Sequence, residues 1–256
     1  MNFSLDKKIT AKVIKAAAEF EMINNDDRIA VGLSGGKDSL FLSFILKLLQ
    51  LYSKKEFYLT AVHVDPGFPT EDKRKNLEIF TDELEIDLQI IKTNIAEYIN
   101  GESNNPCSKC SHFRKGAIIN YMKKNDLNKL ALGHHLDDAV ETFLMNIFYS
   151  GQLKALQPLR YLSKNKISII RPLIYLRERT IKNEIKKKNI NISKSSCPYD
   201  GDSARAEVRK KFAEYFKDDS LFANLISSMR KKENIELWPE ESEYNFLQEK
   251  MDNFWK

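Results

Sequence analysis

No apolar run in the 256-residue chain reaches the roughly 18 residues that a membrane-spanning helix needs. The opening segment, Met1 to Lys15, lacks the apolar stretch of a secretory signal. A soluble, cytoplasmic protein with no membrane partner is therefore expected. No internal repeat or low-complexity tract is present, which excludes solenoid and fibrous architectures. The three cysteines are too few, and odd in number, for a disulfide framework; in a cytoplasmic chain a Cys-x-x-Cys pair points instead to metal or redox chemistry. A net charge of +5 is too modest to argue by itself for nucleic acid, but its distribution is uneven. Lys182, Lys186, Lys187, Lys188, Lys194, Arg205, Arg209, Lys210 and Lys211 gather late in the chain, a distribution that suits either a solvated helix face or a polyanion.

What is present is sharpest at Ser34-Gly35-Gly36-Lys37-Asp38-Ser39, directly after the apolar run Arg28 to Leu33. The order strand, glycine turn, amphipathic helix (Leu40 to Leu51) suits phosphate. Adjacent glycines let backbone approach an anion, a helix start offers unpaired amides and a positive dipole end, and serines add hydroxyls. It is neither a Walker A loop, which needs four residues between its first glycine and Gly-Lys-Ser/Thr, nor a dinucleotide fingerprint, which needs a third glycine.

Elsewhere the pattern alternates. A leading helix (residues 5–22) precedes strands at Arg28–Leu33, Phe57–Asp65, Leu88–Thr93 and Leu127–Gly133, with helices at Glu71–Leu84, Phe113–Lys124 and Asp137–Phe148. This predicts an α/β fold, a mostly parallel sheet with helices on both faces and a helical C-terminal segment. The expected division is 1–190 and 191–256. In such sheets ligands bind beyond the strand carboxyl ends, where the glycine loop, Asp65 and the Gly133-His134-His135 turn all fall. Past Arg171-Pro172-Leu173 come charged helices at Leu176–Lys188 and Ser203–Phe216. An aromatic tail follows, with Trp238, Phe246, Phe254 and Trp255, which either packs back or makes a homodimer.

Asp137 and Asp138 open a predicted helix. Caps are often aspartate, and that reading suits Asp137; Asp138, with Asp38, is the better candidate for Mg²⁺, which takes one or two carboxylates beside substrate phosphates. Neither His134 nor His135 is assigned a catalytic role. Cys107 and Cys110 sit in a polar, turn-like stretch after Asn104-Asn105-Pro106. With Cys197 they make three thiolates. Zinc completed by His112 or another side chain, and an iron-sulfur cluster with one open iron, are equally compatible with them.

The SGGKDS loop resembles the PP-loop of the N-type ATP pyrophosphatases. Together with Pro106-Cys107-Ser108-Lys109-Cys110, the run Gly133 to Asn146, Ile170-Arg171-Pro172-Leu173 and Cys197, it makes the chain similar to the tRNA 2-thiocytidine synthetase (TtcA) family from about residue 6 to residue 215. The resemblance implies a 4Fe-4S cluster on Cys107, Cys110 and Cys197, ATP with Mg²⁺, and thiolation of cytidine 32 of tRNA through an adenylated base oxygen. It assigns Ser34, Gly35, Gly36, Lys37, Asp38 and Ser39, with Asp65 and Gly133, to ATP. Asp138, Arg114 and Asp38 become catalytic, and Arg205, Arg209 and Lys210 face tRNA. A cysteine desulfurase or sulfide would donate the sulfur. Other readings are 2-thiouridine or lysidine synthesis by a related enzyme, or a zinc-stabilised RNA-binding protein without chemistry.

Overall fold

The computed structural model describes residues 4–68, 71–100, 106–193, 204–230 and 251. In chain order these form α1 (Lys7–Glu19), β1 (Asp27–Gly32), α2 (Lys37–Tyr52), β2 (Phe57–Asp65), α3 (Glu71–Glu83), β3 (Asp87–Lys92), α4 (Ile95–Asn100) and α5 (Pro106–Lys124). There follow β4 (Lys129–Ala131), α6 (Leu136–Ser150), β5 (Leu159–Leu162), β6 (Ile167–Ile170), α7 (Glu178–Lys187), α8 (Ala204–Lys211), a short 3₁₀ turn (Tyr215–Lys217) and α9 (Asp219–Ser228).

The six strands make one sheet in the order β3-β2-β1-β4-β6-β5. All neighbours are parallel except the β5–β6 pair. Alternation along the strands sends successive side chains to opposite cores. Ile29 and Val31 of β1 join α1, α2, α3 and α7 on one face, whereas Ala30, with Val62, Val64, Leu130, Ile167 and Ile169, joins α4 and α5 on the other. Because both faces are covered, β1 and β2 read as nearly unbroken apolar runs. Helix α2 is buried from Ser39 to Leu49, as expected of an element that is apolar nearly all round. A third cluster, including Val140 and Leu144 of α6, Val208 of α8 and Phe222 of α9, seats the late helices on α6.

The expected parallel α/β sheet is present, and three of its strands fall within a residue of their predicted bounds. Two differences matter for function. The cysteine stretch is helical rather than turn-like: Pro106 is the first residue of α5, where a missing N–H costs nothing, so Cys107 and Cys110 lie on its first turns. The β5–β6 hairpin, absent from the sequence reading, extends the sheet beyond β4. Cys197 lies outside the described residues. No helix among those described is long and apolar enough to cross a membrane.

The end of the sheet opposite the glycine loop is held by a buried ion pair. Lys129 Nζ lies 2.6 Å from Asp27 Oδ2 and donates to the Met22 carbonyl at 2.9 Å. Asp27 also accepts from the Asn24 amide at 2.6 Å and from Asn128 Nδ2 at 2.9 Å. Removing one partner strands a charge that its surroundings cannot solvate. Lys129→Met is therefore expected to lose about 3–5 kcal/mol of stability, read from urea denaturation midpoints.

Candidate active site

Since β2 and β3 lie to one side of β1 and β4 to the other, the topology switches direction between β1 and β4, and a crevice opens at their carboxyl ends. After β1 the chain turns through Gly35, whose φ of +82° only glycine adopts without strain. A Cβ there would lie 3.0 Å from Cε of Lys73, a residue of α3 that nothing in the sequence had marked. The two serines hold the loop's shape. Ser39 Oγ accepts from the Ser34 amide at 3.1 Å, donates to the Gly36 carbonyl at 2.9 Å, and lies 3.1 Å from Ser34 Oγ. His63 of β2 braces the same turn by donating from Nδ1 to the Leu33 carbonyl at 2.7 Å, and burial pushes its pKa down.

Lys37 is gripped by two carboxylates, Asp38 Oδ2 at 2.8 Å and Glu178 Oε1 of α7 at 2.9 Å. Burial opposes its charge, but the two acids more than offset this and raise its pKa. Burial likewise opposes the Glu178 charge, yet Lys37 and then Lys182 bring that carboxyl down to about 2. The other oxygen of Asp38, Oδ1, is buried with no hydrogen-bond partner, 3.7 Å from His135 Nε2.

The turn after β4 presses against this loop. A Cβ on Gly133 would meet the Asp38 carbonyl carbon at 2.8 Å and its oxygen at 2.9 Å. Helix α6 then starts with a reciprocal cap: Asp138 Oδ2 accepts from the His135 amide at 2.9 Å, and His135 Nδ1 accepts from the Asp138 amide at 3.4 Å. The neighbouring Asp137 serves α7, accepting from the Glu178 amide at 2.7 Å and from Arg177 Nε at 3.1 Å.

A cavity of about 550 Å³ is lined by Ser34, Asp38 and Ser39, by Gly133, His134 and Asp138, and by Cys107, Cys110 and Arg114 of α5. Three separate stretches of sequence thus meet at one hollow. Arg114 lies one turn beyond Cys110. A larger surface hollow of about 710 Å³ along α3 and β3 contains none of these groups. Asp65, expected at the nucleotide, closes the turn after β2, with Oδ1 accepting from the Gly67 amide at 2.9 Å. Among the described residues no group of three or more His, Cys, Asp or Glu side chains is arranged as a ready metal site. The cysteine pair is what they contain of the expected thiolate set.

Of the three late cations, Arg209 is engaged by a fully buried carboxylate, Glu141, through Nε at 2.7 Å and Nη2 at 3.2 Å. Lys210 is exposed, and the Arg205 side chain lies outside the described residues. Sequence reasoning also missed Arg171. Its motif was visible, but the partners it acquires in the fold were not. Buried just after β6, Arg171 donates from Nε to His134 Nδ1 at 3.3 Å and from Nη1 to the Gln157 carbonyl. Burial and then Arg160 lower its pKa to about 10, so it stays charged at neutral pH.

Two measurements follow from this geometry. Gly133→Ala must displace backbone, and overpacking of about 1–3 kcal/mol predicts a loss of nucleotide affinity of roughly 5- to 150-fold by calorimetry. A guanidinium can only donate, so His134 must carry its own proton on Nε2. Nitrogen-15 spectra of the histidine rings are expected to show this tautomer, and Arg171→Met to mix it with the Nδ1–H form.

A sequence profile of the PP-loop domain matches residues 5–215. A tRNA-cytidine(32) 2-sulfurtransferase of Geobacter sulfurreducens is 36% identical over 219 residues, 83% of this chain and 84% of that relative. The protein of the same name from Teredinibacter turnerae is 40% identical over 181 residues, 68% of this chain. The match spans only 58% of that longer relative. Among solved structures, the U34-tRNA thiolase NcsA from Methanococcus maripaludis, with its 4Fe-4S cluster, is similar with a TM-score of 0.70 and 25% identity. That likeness covers 90% of this chain and 80% of the thiolase. The profile match takes in every residue that lines the cavity, and the chain belongs to the PP-loop family, in its tRNA-cytidine(32) 2-sulfurtransferase branch.

Proposed function

We propose that the protein is an ATP-dependent tRNA sulfurtransferase of the cytoplasm that converts cytidine 32 to 2-thiocytidine. The observation that carries this reading is the single cavity shared by the PP-loop, Asp138 and the Cys107–Cys110 pair. In the reaction the C2 oxygen of the base attacks the α-phosphorus of ATP and pyrophosphate leaves. Sulfur then bonds to C2, and the oxygen departs with AMP.

The chain's residues divide this work. Gly35, Gly36 and the first amides of α2, with Ser34 and Ser39, receive the phosphates at a helix start. Lys37 holds Asp38 in place. Asp38 and Asp138 both line the cavity, and their carboxylates are an oxygen donor set that suits Mg²⁺. Arg114 stabilises negative charge developing beside the base. Cys107 and Cys110, one turn apart at the cavity wall, suit thiolate ligation of a 4Fe-4S cluster, with Cys197 as the third ligand. When bound, such a cluster supplies an iron without a protein ligand, at which sulfur from sulfide or a desulfurase can be held.

The U34 thiolase likeness favours one second reading, 2-thiouridine synthesis at the same kind of site. Nucleoside analysis of tRNA from a deletion strain separates the two, because loss of 2-thiocytidine is expected and loss of 2-thiouridine would replace that substrate. Anaerobically purified protein is expected to contain iron and sulfide and to absorb broadly near about 400 nm. Asp38→Asn should abolish thiolation and keep the iron, whereas Cys110→Ala should lose it. Colourless protein with stoichiometric zinc would sink the proposal.

A further inference from the structure

The basic helices late in the chain are largely neutralised from within. Lys182 pairs with Glu178 at 3.1 Å, Arg209 with Glu141 at 2.7 Å, and Lys211 with Glu207 at 2.7 Å. Arg179 pairs with Asp219 at 2.7 Å. Around the cavity, which Asp38 and Asp138 also line, the cations are not paired in this way. Arg114, Lys115, Arg160 and Arg171 make no ion pair with a carboxylate among the described residues.

The fold brings these cations together. Strand β5 runs antiparallel to β6, so Arg160, opposite Ile169, stands level with Leu130 of β4 and Ala30 of β1, whose row of the sheet packs with α5. It is exposed, on the edge strand. Lys115 lines the cavity beside Arg114, one turn before Ile118 and Ile119, which pack with Ile167 and Ile169 of β6. Burial, then the charges of Arg160 and Arg171, lower the Lys115 pKa, the mark of like charges within reach of one another. Such a group destabilises the free protein and is relieved when an anion bridges it. The row runs outward from the cavity, at Arg114 and Lys115, to Arg160 on the edge strand, and this extent suits a chain of phosphates better than one nucleotide.

We infer that the substrate tRNA lays its phosphate backbone along the rim formed by Arg114, Lys115 and Arg160, and not chiefly on the late basic helices. This rests on the tRNA sulfurtransferase reading above. The test is binding of fluorescently labelled tRNA to the full chain across a salt series, with ATP KM measured alongside. Arg160→Gln and Lys115→Gln should each weaken tRNA binding several-fold and reduce the slope of log affinity against log salt by about 1. Arg160→Gln should leave the KM for ATP unchanged, and Lys210→Gln should have the smaller effect on tRNA. Arg160 is exposed, so its variant tests binding without endangering the fold. Wild-type tRNA binding with unaltered rim variants would overturn this inference alone. So would a loss confined to Lys210→Gln, or rim variants that raise only the KM for ATP. Wild-type protein that binds no tRNA would overturn the sulfurtransferase reading and this inference with it.

Discussion

Gly133 approaches the carbonyl of Asp38 so closely that no side chain fits between them. Through that contact the turn after β4 is locked to the first residue pair of α2. The two turns belong to adjacent strands on either side of the topological switch, and each contributes one wall of the cavity. A displacement of either would separate Asp38 from Asp138 and the serines from the phosphates they are proposed to receive. The site's geometry is therefore a property of backbone packing first and of side-chain chemistry second.

Around that contact, adjacent residues take different work. Asp137 accepts from the start of α7, while Asp138 closes the cap of α6 and still faces the cavity. Lys37 and Asp38 divide similarly, one turned to Glu178 and the other holding a buried oxygen in reserve. Glu178 joins α7 to the PP-loop and also lies 3.9 Å from Arg209 of α8. A chain of alternating charge thus runs from the loop toward the late helices.

Much of this was legible in the sequence, for physical reasons that can be named. Strands β1 and β2, buried on both faces, advertise themselves as apolar runs, and a glycine pair between strand and helix announces its own conformational need. With the Gly133-His134-His135 turn, they mark the strand ends where the cavity lies. Pro106 misled because proline signals a turn and a helix start equally well, and only tertiary packing decided between them. Strands β5 and β6 are four residues each, too short for alternation to register. Pairings across long separations were invisible: Arg209 with Glu141, 68 residues apart, and Arg171 with His134, 37 apart. Ser34 and Ser39, whose hydroxyls the sequence offers to a ligand, are also the loop's internal braces.

The reversal of β5 has a further consequence, for solubility during and after folding. A sheet that ended on a long, flat parallel strand would offer its unpaired amides and carbonyls to any passing chain. Here the border on that side is four residues long and carries an exposed arginine. Length and charge both discourage the addition of a foreign strand.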